Sequence, residues 1–379
     1  MPRSERRLAE RLRAWDGLHA SRDGTGRLAR PVEREAGASG GASERAGGSW
    51  ATARRVLRSW SRLGGLLAAV LICAFVFDGL NTAFLSANNI LNIFKTTSSL
   101  AIISLGEMIV LLVGEIDLSV GSVYGLGAMV TGLLWTNGTP FVPALLAGLA
   151  TGVAAGIVNG FVTTVVRVNS FIATLGMLNL AEGIDFLISN SASINPNTTL
   201  GGYNIFAAFG QDQLFGQIPV QIAWLVGISL VMYLLVHRSM FGFRSAAIGG
   251  NPSAARVAHL PVRSYKVVAF ALAGLLAVVG GIMDFSLVGA TDPTSGSNLP
   301  FTVFAAVIIG GASLSGGRGT VWGTFLGALF LTLISNGLSL LGYGAFVQLI
   351  FVGLIIIVAV AIDWWTGRGR ESRAAQVQW

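Results

Sequence analysis

From Leu63 onward the chain alternates long apolar runs with short polar breaks. Crossing a hydrocarbon core of about 30 Å takes about 20 helical residues. By that measure ten segments are predicted, near 63–80, 90–113, 118–136, 142–166, 171–189, 219–237, 267–289, 301–314, 320–341 and 346–364. The eighth is short and reads as a broken or tilted segment. The pattern predicts an all-α polytopic membrane protein with Gly-rich broken segments. In the long connection 191–218, the apolar middle YNIFAAF predicts a short re-entrant or interfacial helix.

The breaks also carry a charge pattern. With the N-terminus placed in the cytoplasm, the inner connections hold Arg167, the 238–266 loop, Arg318 and the C-terminal arginines. The 238–266 loop alone carries Arg238, Arg244, Arg256, Arg263 and Lys266. The opposite connections (81–89, 137–141, 191–218, 290–300 and 342–345) contain neither Lys nor Arg. This positive-inside asymmetry predicts ten spans with both termini cytoplasmic.

Composition agrees with the pattern. Of 379 residues 53% are hydrophobic and 11% charged, against about 25% charged in soluble proteins. A soluble globular domain is excluded. The net charge of +7 resides in residues 1–62, which hold 14 Arg and 7 acidic residues. The remaining 11 basic and 11 acidic residues cancel. This predicts a basic, disordered cytoplasmic tail at 1–62, a membrane domain at 63–365 and a cytoplasmic tail at 366–379. The tail's arginines alternate with acids and accompany no nucleic-acid motif, so no nucleic-acid partner is expected.

Several chemistries lack their residues. Cys73 is the sole cysteine and there are three histidines, so no metal centre is expected. The two lysines, Lys95 and Lys266, follow Phe94 and Tyr265, so neither completes the Lys-containing phosphate loop of an ATPase. No catalytic residues and no bound cofactor are expected.

Three runs remain. In GEIDLSVGS, 114–122, the carboxylates of Glu115 and Asp117 lie between apolar runs. An acid at mid-membrane costs about 3 kcal/mol, so these face an interface, a protein interior or a wet path. Asp117 is predicted to cap a helix, with Gly121 permitting close packing. In the 238–266 loop, Asn251 followed by Pro252 predicts a helix start, and Pro261 its stop. That helix is expected to present Ala254, Ala255, Val257 and Ala258, flanked by Arg244 and Arg256, to a partner's groove. In the run 305–323, five glycines within 310–319 interrupt an apolar segment, a pattern tolerated at membrane depth only where backbone is buried in protein or lines a cavity. Gly148, Gly152, Gly156 and Gly160, four residues apart, predict a packing stripe.

The runs GEIDLSVGS, FGFRSAAIGGNPSAAR and AAVIIGGASLSGGRGTVWGTFLGALFLTLISNGLSLLG resemble the permease subunits of bacterial ABC importers for simple sugars, of the ribose/xylose/galactoside type. These are kin to the branched-chain amino acid permeases. The resemblance covers about residues 63–365. It implies an inner-membrane protein that imports a monosaccharide by alternating access, with two permease copies forming the path. A cytoplasmic ATPase using ATP and a periplasmic or lipid-anchored sugar-binding protein would complete it, with membrane lipid around it.

It also implies an ATPase-coupling loop comprising Arg244, Gly249, Gly250, Asn251, Ala254, Ala255 and Arg256. The membrane signature or path would include Glu115, Asp117, Ser119, Gly121, Gly310, Gly311, Ser313, Ser315, Gly317 and Asn336. Glu115 stands where the family commonly has Gly, and Ser297–Val303 lacks an acid often found there. Asn179, Asn336 and Trp322 are candidate sugar contacts. The rival readings are a branched-chain amino acid permease, a passive channel or structural scaffold, and an ion-coupled transporter using Glu107, Glu115, Asp117, Glu182, Asp185 or Asp284.

Overall fold

The computed structural model describes residues 63–358 and 361. The predicted tails, 1–62 and 366–379, lie outside the described residues. The chain begins with α1 (Leu63–Leu80), α2 (Ala87–Leu112) and α3 (Val120–Thr136). Next come α4 (Phe141–Phe161), continued by a π-turn at Val162–Val166, α5 (Ser170–Ser189) and the short α6 (Tyr203–Gly210). A two-stranded ribbon, β1 (Gln213–Leu214) with β2 (Ile218–Pro219), precedes α7 (Val220–Tyr233) and its π-turn Leu234–Arg238. There follow α8 (Met240–Gly250), α9 (Pro252–Val257) and α10 (Val262–Val288). The last are α11 (Leu299–Ile309), α12 (Val321–Leu340) and α13 (Ala345–Val358).

Seven helices among the described residues are long and apolar enough to cross a membrane. Three more, α3, α11 and α13, are apolar but shorter. Helix α2 is the centre of the bundle. Ile102, Leu105, Met108 and Ile109 are fully buried, because α10, α12, α7 and α11 surround it. Helix α1, by contrast, leaves Leu67, Leu71, Ile72 and Phe75 exposed on its outer surface. An apolar face open on the outside of a helical bundle is what lipid requires.

The glycine stripe packs as predicted. A β-carbon at Gly156 or Gly152 would overlap the carbonyl of Phe270 or Gly274, so α4 touches the α10 backbone directly. Gly160 meets Val267 in the same way, and Gly148 packs on Gly127 and Thr131 of α3. Without hydrophobic drive between helices in lipid, such backbone contact is a main source of association.

The bundle has two distinct ends. At one, Trp135, Phe141, Phe206 and Phe285 pack together, and Trp135 Nε1 donates to the Gly201 carbonyl at 2.9 Å. Ile194 bridges Thr291 there. The predicted helix at YNIFAAF is α6, which lies in this aromatic end. The other end carries Arg167, Arg256, Arg263 and Lys266 around one cleft.

Three expectations are corrected. The eighth segment, expected at 301–314, is the 11-residue α11, Leu299–Ile309, because Gly310 and Gly311 end it and residues 310–320 turn without helix. The 238–266 loop forms two helices before α10, where the sequence predicted one. The helix after GEIDLS begins at Val120 behind Ser119, not at Asp117. Asp117 Oδ1 instead accepts from the Ser119 amide at 2.8 Å and its hydroxyl at 2.6 Å.

Candidate functional site

Two motifs and the 238–266 loop meet at the basic end. The C-terminal turn of α8 lies where α2 stops. A β-carbon at Gly249 would overlap the Leu112 carbonyl and lie 2.7 Å from the Gly317 amide nitrogen. The Gly317 amide donates to Leu112 O at 3.0 Å. Gly114, Gly316 and Gly317 have φ of 80°, 81° and 74°, a region that side-chain-bearing residues disfavour. At Gly316 a β-carbon would fall 2.8 Å from Gly114 Cα and 2.7 Å from Gly249 O. Three glycine backbones therefore interlock: the GEIDLS segment, the end of α8 and the 310–320 turn.

Helix α9 continues from this node. Asn251 is its N-cap and accepts from the Ala254 amide at 3.0 Å, with Pro252 in the first turn, as predicted. Ala255 is buried, against the expectation that it faces a partner, because it packs with Ile248 and Val262. Val257 is 81% exposed and stands at the tip. Arg256 is exposed, while Arg244 points back and donates to the Tyr265 hydroxyl at 3.2 Å. Ser313 accepts from Arg318 at 3.2 Å, which holds the 310–320 turn closed. Glu115 pairs with Lys266 of α10, both side chains 13% exposed.

A second meeting point lies inside the bundle. From Gly289 the chain leaves α10 at the aromatic end and runs back into the protein without helix until Leu299. A β-carbon at Gly121, in the first turn of α3, would overlap the Gly296 carbonyl and the Pro300 ring. At Gly125 it would lie 2.5 Å from Ser295 O. The N-terminal ends of α3 and α11 thus abut, and the two helices diverge to opposite ends of the bundle. Helix α3 ends at the aromatic cluster and α11 ends at Gly310, whose partner is Gly323 of α12. At about 25 Å and 16 Å neither crosses a 30 Å core alone.

The chemistry around this junction follows from its dipoles. Two helix N-termini direct the partial positive charge of their dipoles at it. Carboxylates surround them. Asp117 sits just before α3, within a buried network in which Asn159 donates to Ser119 Oγ at 2.9 Å and Glu107 accepts from the Asp117 amide at 3.3 Å. Asp185, 1% exposed, lies beside Gly125. Asp284 accepts from Ser99 at 2.6 Å and from Tyr124 at 2.9 Å, and Tyr124 is in contact range of Gly296. Thr294, Ser297 and Asn298 are exposed at the same junction.

Placement separates the remaining candidates. Glu115, Gly310, Gly311, Ser313, Ser315 and Gly317 belong to the basic end or its turn. Asp117, Ser119 and Gly121 lead from that end up to the junction. Asn336 is elsewhere: it exchanges hydrogen bonds with Asn89 at 2.9 and 3.0 Å and ties α12 to α2. Asn179 is exposed and donates to Leu175 O of its own helix at 2.9 Å, and Trp322 is exposed near the start of α12. Sequence reasoning missed Lys266, Tyr124, Ser297 and Asn298. The start signal Asn298-Leu299-Pro300, with Pro in the first helical turn, is the cue that would have placed the junction.

A helical bundle with apolar outer faces, a junction of broken helices and a glycine-keyed hairpin at its basic end is a multi-pass membrane protein. Residues 89–360 match the family described as branched-chain amino acid transport system / permease component, and the chain belongs to that family. It is 35% identical over 312 residues to the ribose import permease protein RbsC of Escherichia coli (strain K12), covering 82% of this chain and 96% of that protein. To RbsC of Bacillus subtilis (strain 168) it is 36% identical over 303 residues, 80% and 92% of the two chains. To the D-allose transport system permease protein AlsC of Escherichia coli (strain K12) it is 33% identical over 306 residues, again 80% and 92%. No solved structure matches it.

Proposed function

We propose that this chain is the membrane subunit of an ATP-driven, binding-protein-dependent importer for a monosaccharide in the bacterial inner membrane. The observation that carries the reading is the interlock of Gly249 with Leu112, Gly114 and Gly317. A displacement of α9 by a partner ATPase is delivered through α8 to both glycine-rich segments at once. One of those segments leads by Asp117 and Ser119 to the start of α3, and the other ends α11. Both therefore act on the α3–α11 junction. The chain contributes no nucleotide site in this reading, and ATP is bound and hydrolysed by the partner.

The seven long apolar helices, α13, and α3 and α11 each completed by the non-helical segment before it make ten crossings, with both termini cytoplasmic. The basic end, rich in Arg, then faces the cytoplasm. The exposed Ser297 and Asn298 at the junction cannot face lipid without cost. They line a wet path between two copies of the chain, which form a homodimer. An extracytoplasmic sugar-binding protein delivers solute at the aromatic end. Hydroxyl and amide groups with half-buried Tyr124 and Asp284 match the hydroxyls of a sugar.

The relatives named for ribose and D-allose favour a monosaccharide. The family description favours, as a second reading, a branched-chain amino acid. Reconstitution with the copurifying ATPase and binding protein tests both. ATP-dependent uptake of ribose, allose or xylose, not competed by leucine, is expected. Uptake of leucine instead, or sugar accumulation by the chain alone on a cation gradient, overturns the proposal.

A further inference from the structure

The basic end holds a cleft of about 930 Å³ between the α4–α5 connection and the α9–α10 connection. Arg167, Arg256, Arg263 and Lys266 line it, and Glu115 is its one carboxylate. Lys266 and Glu115 pair with each other. The three arginines are exposed, and none has a salt-bridge partner among the described residues. The cleft thus carries three uncompensated positive charges. Its remaining wall is uncharged: Thr163, Thr164 and Asn169 contribute hydroxyl and amide groups, and Val168, Leu260 and Val262 contribute apolar surface.

Its position in the fold selects the ligand. Arg167 adopts φ +67° where the π-turn of α4 ends, and α5 starts three residues later. The flanking side chains Val165, Val166, Phe171 and Ile172 are exposed and apolar. The cleft therefore opens at the rim of the lipid-facing surface, where that surface gives way to arginine. A ligand filling it needs an anionic head with hydrogen-bond acceptors and an apolar body that continues along α4 and α5. Basic pockets between membrane helices on the cytoplasmic side suit lipid phosphates in this way. The exposed tip of α9, Val257, projects as a separate feature that a cytoplasmic protein can grip.

We propose that this cleft binds the phosphate of an anionic phospholipid, gripped by Arg167 and Arg263 with Arg256 at its mouth. Occupancy bridges the α4–α5 connection to the base of α9. The annular lipid thereby sets the position of the hairpin that the ATPase moves.

The experiment is native mass spectrometry of the purified, delipidated full chain titrated with phosphatidylglycerol or phosphatidylcholine, with inorganic phosphate as a soluble competitor. Phosphatidylglycerol is expected to bind at least about tenfold more tightly, and Arg167→Gln and Arg263→Gln each to weaken it about fivefold. Melting of both variants in phosphatidylcholine should match the parent, which separates lost binding from lost folding; if either variant melts lower, Arg167→Lys and Arg263→Lys replace it and should retain the lipid preference. Equal binding of the two lipids overturns the proposal. So does full displacement by millimolar phosphate, which marks a free-anion site. Intact lipid selectivity in the variants with loss of ATPase copurification assigns the cleft to the ATPase and likewise overturns it.

Discussion

The amide of Gly317 donates to the carbonyl of Leu112 at 3.0 Å, across more than half of the chain. Leu112 ends the central helix α2, so its carbonyl is an orphan acceptor of the last turn. The 310–320 turn satisfies it, and Gly249 is wedged against the same atom. This contact joins the central helix of the bundle to the surface hairpin α8–α9.

Substitution of Gly249 should break that connection. A valine there overlaps backbone on two sides and cannot be relieved by a rotamer change. Overpacking of this kind costs about 1–3 kcal/mol. The melting midpoint of Gly249→Val in detergent should fall, and ATP-driven uptake should fall more than ATPase copurification does. Full uptake in Gly249→Val would remove the interlock from the mechanism.

The pair Glu115–Lys266 links the start of the GEIDLS segment to α10. Removing one partner leaves the other mostly buried and uncompensated, so Glu115→Gln or Lys266→Met should each destabilise by about 1–3 kcal/mol. The double variant should regain most of the loss, because no lone charge remains. Thermal unfolding of the four proteins gives the coupling energy directly, and strictly additive effects would show that the pair does not interact.

The tip of α9 should separate docking from folding. Val257, 81% exposed, can become Asp with little effect on the melting midpoint. ATPase copurification should drop several-fold. Asn251→Ala removes the cap on a six-residue helix and should cost about 1 kcal/mol. It should weaken ATPase stimulation without altering sugar binding. A Val257→Asp protein that retains its ATPase fully would move the docking surface elsewhere.

The wet path is open to cysteine labelling in a Cys73→Ser background. Ser297→Cys and Asn298→Cys should react with a membrane-impermeant thiol reagent. Leu187→Cys, 75% exposed on the outer face of α5, should not, because lipid covers it. Equal protection of all three positions would mean that the α3–α11 junction is dry.

Much of this architecture was legible in the chain. Apolar runs placed the long helices to within a few residues, the Asn251-Pro252 pair located α9, and the glycines from Gly148 to Gly160 marked the face of α4 that meets α3 and α10. These signals are local: periodicity, capping and the absence of a β-carbon act within a few residues. The expectation of no phosphate loop and no histidine or cysteine metal centre likewise came from local reading, since neither lysine completes the loop motif and His and Cys are scarce. Tertiary structure alone decided that Gly249 answers Leu112, that Lys266 answers Glu115 and that Gly121 answers Gly296. A glycine announces that some backbone will come close, but many backbones are available, and packing of the whole bundle selects one. The same holds for Ala255. Its small side chain suited a partner's groove as well as its own core, and only the fold of α8 onto α10 buried it.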